Sequence, residues 1–79
     1  MFIFLTHASD EITLRINVLS IVMYNEYHGQ GITIPEVCTK VNTSDGKFYY
    51  VLETPEQIDV KIEEAKEAEL QNIDNILIW

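Results

Sequence analysis

The chain has 79 residues, one cysteine and a formal net charge of −8, with 13 acidic residues against 5 basic ones. Such a balance excludes a phosphate-tracking nucleic-acid binder and docking on an anionic membrane, both of which draw affinity from Lys and Arg. One cysteine excludes an internal disulfide, and Cys38, His7 and His28 stand too far apart for ligand-like metal spacing. A single domain of this length buries only about 60% of its unfolded surface, which makes self-association the expected further source of stability.

Phe2 to Thr6 is a continuous apolar run of strand length, too short for a signal peptide and without a basic flank. Its continuity predicts burial on both faces, or a strand central to a small assembly. No run approaches the roughly 20 apolar residues of a membrane span, so a cytoplasmic protein with no membrane partner is expected. His7 to Glu11 reads as a polar turn, and Ile12 to Ile16 alternates as a second, antiparallel strand that Asn17 breaks. Val18 to Tyr27 reads as a short helical turn followed by a strand, since branched and aromatic residues favour extension from Ile21 onward. His28 to Gly31 is a loop by composition. Ile32 to Ile34 extends toward Pro35, which belongs at an edge or a break.

Val37 to Thr43 places Val37, Thr39, Val41 and Thr43 on one face, and Lys47 to Leu52 is rich in β-favouring residues. Asp45-Gly46 between them predicts a hairpin, because Gly46 accepts positive φ at little cost. Thr54-Pro55-Glu56-Gln57 predicts a helix start from about residue 55, with Thr54 as cap and Gln57 closing a capping box. Ile58, Ile62, Ala65, Ala68 or Glu69, and later Ile73 and Ile76, follow at roughly helical spacing as the face that packs on a sheet. The ending from Asn72 to Trp79 reads either as the helix end or as a short strand. The fold class is therefore α+β: a single domain over residues 1–79, a small antiparallel β-meander of four or five strands with one long C-terminal helix.

The order of these motifs resembles the FlbD/SwrD family of small bacterial motility proteins and similar small proteins of phages and mobile elements. The residues that carry it are Phe4-Leu5-Thr6, Leu14-Arg15-Ile16-Asn17, Ile21, Asp45-Gly46-Lys47, Tyr50-Val51 and Glu53 to Ile58 with Ile62. The chain departs from that pattern by an insertion at His28 to Glu36 and by running on to Trp79. The resemblance implies a β-meander with a C-terminal helix and a non-enzymatic role, with no catalytic residue to carry over.

No acid, base and nucleophile converge in the sequence, so an enzyme is not expected, and neither is a cofactor. Cys38 reads as a small strand residue and both histidines as solvated turn residues. The candidate interaction residues are Tyr24, Tyr27, Tyr49 and Tyr50, which offer aromatic area to a partner or a nucleotide base; Glu63, Glu64 and Glu67, which form an acidic helix strip; and Trp79 at the apolar end. Tyr49 and Tyr50 face opposite ways on a regular strand. These residues point to a non-catalytic protein-interaction module, a bacterial or phage accessory protein that forms a homo-oligomer through its C-terminal end. The alternatives are a phage anti-defence inhibitor acting as an acidic nucleic-acid mimic, or an oligomeric nucleotide-sequestering protein.

Overall fold

The structure, a computed structural model, describes residues 1–29 and 37–77, and from Leu70 onward it describes the helix backbone alone. Five strands and one long helix follow in order: β1 (Phe2–Thr6), β2 (Thr13–Asn17), β3 (Ile21–His28), β4 (Val37–Thr43), β5 (Phe48–Val51) and α1 (Pro55–Leu77). The fold is α+β, as the sequence predicts. The expected strand at Ile32 to Ile34 lies outside the described residues, as does Trp79.

Consecutive strands pair antiparallel, except that the meander folds in two between β2 and β3. One sheet holds β1 and β2; the other holds β3, β4 and β5 in that order. The division has a local cause. The Asn17 side chain accepts from the Leu19 N–H and its carbonyl accepts from the Ser20 hydroxyl, closing a 3-10 turn over Val18–Ser20. Short polar side chains that bond to nearby backbone in this way compete with a strand ladder.

The sheets meet where β1 runs out against β5. His7 bridges Val51, the Ala8 N–H donates to the Tyr50 carbonyl at 2.8 Å, and the Leu52 N–H donates to the Thr6 carbonyl at 2.9 Å. Glu53 fastens the same corner. One of its carboxylate oxygens accepts from the Thr6 N–H at 2.8 Å, the other from the Thr6 hydroxyl at 2.9 Å.

The core forms between the two sheets and α1. Ile3, Leu5, Ile16, Val41, Val51 and Ile58 are buried together, with Leu14, Val18, Ile21, Tyr24, Tyr49, Ile62 and Ala65 packed against them. Thr39 and Thr43 are buried on the same face of β4 as Val41, in keeping with its alternation. Val37, expected on that face, remains exposed at the strand's start.

Two sequence expectations are corrected here. Ile12 was expected to share the inner face of β2, but the strand begins at Thr13 and Ile12 is exposed. It follows Glu11, which takes a positive φ of 59° and turns the chain. Of the two readings of the β1 run, burial on both faces is not met within one chain: Ile3 and Leu5 point into the core while Phe2 and Phe4 are 46% and 56% exposed.

The hairpin between β4 and β5 is a three-residue loop, Ser44-Asp45-Gly46. The Gly46 N–H donates to the Thr43 carbonyl, the Thr43 N–H donates to the Lys47 carbonyl, and Gly46 has φ of 84°. This is a type I turn closed by a glycine bulge. Asp45 accepts from the Thr43 hydroxyl and the Lys47 N–H, which hold its carboxyl below the usual carboxylate range. A β-branched residue at Gly46 meets no atom but resists the left-handed backbone. Gly46→Val is expected to cost about 1 kcal/mol or more, read as a lower urea midpoint.

α1 begins with the predicted capping box. The Gln57 N–H donates to the Thr54 hydroxyl at 3.1 Å, and the Thr54 N–H donates to the Gln57 side-chain oxygen at 2.9 Å. Thr54→Ala is expected to cost about 1 kcal/mol, with faster amide exchange at Gln57 and Ile58. The helix continues through Leu77, so residues 72–77 are helix rather than a returning strand. No described helix is long and apolar enough to cross a membrane.

Candidate functional site

Strand register divides the four tyrosines into two pairs. Directly opposed residues share a face of an antiparallel sheet. Tyr24 opposes Val41, and Val41 opposes Tyr49, so both rings lie on the inner face and pack against the core. A bulge at Val22 makes this arrangement: the register shifts between Ile21 and Met23, which returns Tyr24 to the same side as Ile21.

The Tyr24 hydroxyl donates to the Asp59 carboxylate of α1 and ties β3 to the helix. That hydrogen bond, then desolvation, raises the phenol from its ordinary 10.0 to about 12. A raised folded pKa means that the contact's stabilisation is fully present below pH 10 and is lost as pH climbs toward 12. Asp59→Asn is expected to bring the Tyr24 titration down toward 10, as followed by tyrosinate absorbance.

The other pair forms an outward surface. Asn25, Lys40 and Tyr50 make one row across the three-stranded sheet, Met23, Asn42 and Phe48 the next, and Tyr27 opposes Cys38. The Tyr27 and Tyr50 rings meet across β4 at 4.8 Å between centroids, tilted by 41°. Phe48 meets Tyr50 edge-on at 5.5 Å, and the Lys40 ammonium stands 4.6 Å from the Phe48 ring centre. Beside Tyr50, the Tyr27 phenol raises the Tyr50 pKa. A Cβ on Gly29 would fall 2.5 Å from the Tyr27 ring, so glycine there leaves the room that the ring occupies. Cys38 is buried on this face, and burial pushes its thiol up, which opposes nucleophilic use.

A second surface joins β1 to α1. Phe2 and Phe4 are on the outer face of the two-stranded sheet, where the Arg15 guanidinium lies 4.0 Å from the Phe2 ring centre. Met1 and Phe2 line a hollow of about 310 Å³ with Ala65, Ala68 and Glu69 of α1. Glu63, Glu64 and Glu67 are all exposed along that helix. The structure thus brings Tyr27 and Tyr50 together, packs Tyr24 and Tyr49 partly buried against the core, and leaves the three glutamates solvated.

Sequence reasoning did not single out Phe2, Phe4 or Lys40. The signal for the phenylalanines was the unbroken apolar run of β1, which names no face. The signal for Lys40 needed the register of three strands. Among the described residues, no group of three or more His, Cys, Asp or Glu side chains is placed to hold a metal ion. The chain matches no family model, no curated protein and no solved structure.

Proposed function

We propose that the chain is a non-catalytic protein-interaction module, a bacterial or phage accessory protein, that docks through the outer face of β1 and the adjoining side of α1. One observation carries this reading: Phe2 and Phe4 belong to a strand apolar on both sides, yet only its inner side is covered. Phenylalanines on a sheet face beside a hollow are suited to anchor a partner's apolar side chain. The neighbouring helix carries Glu63, Glu64, Glu67 and Glu69, all exposed, so the fitting partner sets basic groups around its apolar knob. The resemblance of the motif order to that of the FlbD/SwrD proteins is in keeping with the same non-enzymatic role.

The test is capture from the native host by tagged full-length chain, identified by mass spectrometry and repeated with Phe4→Glu. Phe4 is half-exposed, so the change leaves the core intact. The expected result is a partner lost with Phe4→Glu and weakened by salt. Equal capture by both chains refutes the docking face.

The exposed carboxylates of α1 favour a second reading, an anti-defence inhibitor that presents acidic charge in place of nucleic acid. Lys61 and Lys66 interrupt the strip and make this the weaker of the two. Replacing Glu63, Glu64 and Glu67 together by Gln separates the readings, since mimicry fails without the charge whereas apolar docking persists at reduced affinity.

A further inference from the structure

We infer that the outer face of β3, β4 and β5 is a binding site for a small nucleotide, its base stacked on the Tyr27 and Tyr50 rings and its phosphate paired with Lys40. Local composition is the first argument. In a chain of net charge −8, the outward positions of this sheet are Met23, Asn25, Tyr27, Cys38, Lys40, Asn42, Phe48 and Tyr50, without a carboxylate among them.

Geometry is the second. Tyr27 and Tyr50 meet across the central strand, Phe48 borders Tyr50, and the Lys40 ammonium stands over the Phe48 ring, which leaves the tyrosine faces for a base. Aromatic faces with a cation among them recognise a base and its phosphate together. The Tyr27 ring already occupies the room that Gly29 leaves beside it, so it loses little freedom on binding.

Charge chooses the occupant. An apolar protein surface laid here would cover Lys40 and leave its charge unpaired, a desolvation cost that an anionic ligand removes. A long polyanion is repelled by the net charge of −8, whereas one or two phosphates are matched by the Lys40 ammonium. This site is on a different face from Phe2 and Phe4 and does not rest on the protein-docking reading; it gives the nucleotide-sequestering alternative a location.

The experiment is an NMR titration of the full chain with adenosine 5′-monophosphate, and separately with adenosine and with inorganic phosphate. The expected result is saturable shifts at Tyr27, Lys40, Phe48 and Tyr50 with the nucleotide, weaker binding of adenosine, and a response near Lys40 alone with phosphate. Tyr50→Ala is expected to weaken nucleotide binding about ten-fold and Tyr50→Phe to retain it, which separates loss of the ring from loss of the fold. Lys40→Met is expected to abolish the preference for nucleotide over adenosine, and Phe4→Glu to leave nucleotide binding unchanged. Absence of saturable shifts up to about 10 mM nucleotide overturns the inference, because binding weaker than that is worth under about 3 kcal/mol. It is equally overturned if Lys40→Met has no effect, or if dilution of the chain alone moves the same rings, which would assign the face to a second copy.

Discussion

Ile58→Ala is expected to destabilise the chain by about 2–5 kcal/mol, the range for truncating a fully buried aliphatic side chain. Ile58 has no exposed surface and joins α1 to a core drawn from β1, β2, β4 and β5. A domain of this size has a total stability of only about 4–12 kcal/mol. One truncation there removes a large fraction of it. Ile62 and Ala65, half-buried further along the helix, do not compensate. The expected urea curve shifts far to lower denaturant, with helical signal and sheet signal lost together. Val60→Ala is the control: Val60 is 56% exposed on the same helix, and its loss is expected to change stability by less than about 0.5 kcal/mol. If both variants unfold at the same midpoint, Ile58 does not dock the helix.

Features decided within a few residues were legible in the sequence. Gly46 and the Thr54–Gln57 box each satisfy a local backbone requirement, a positive φ in one case and unpaired amides in the other, and both appear where expected. The opposite facing of Tyr49 and Tyr50 follows from the period of a strand. What needed a second strand was not legible. The Tyr27–Tyr50 contact depends on β3 and β5 flanking β4 in one register, and the place of Tyr24 depends on the bulge at Val22, since residues three apart on a regular strand face opposite ways. In β1, Phe2 and Phe4 are as apolar as Ile3 and Leu5, and only the position of α1 and the other strands decides which pair is covered. The candidate sites therefore lie where local pattern is silent, on outer faces that acquire their neighbours through pairing.

The full chain is expected to self-associate, and a chain ending at Gln71 to be monomeric with its strands intact. α1 runs from Pro55 to Leu77, 23 residues or about 34 Å. Among the described residues, its packing on the core is made by Ile58, Ile62 and Ala65, all in the first half. In the second half, Leu70, Ile73 and Leu77 recur in sequence at three and four residues, with Ile76 beside them, a stripe suited to a helix partner. Burying such side chains against a second copy contributes roughly 1.5–3 kcal/mol each before ordering costs, enough together for association at micromolar concentration. A symmetric pair of helices is the simplest arrangement, because each copy supplies the same stripe. Removing residues 72–79 leaves Ile58, Ile62, Ala65 and every buried residue among those described in place, so the truncated chain is expected to keep its fold. Light scattering of both chains reads the outcome directly. A full-length chain that remains monomeric at high micromolar concentration would show that the second half of α1 does not join subunits, and a truncated chain of unchanged mass would place the interface elsewhere, with the outer face of β1 the next surface to test.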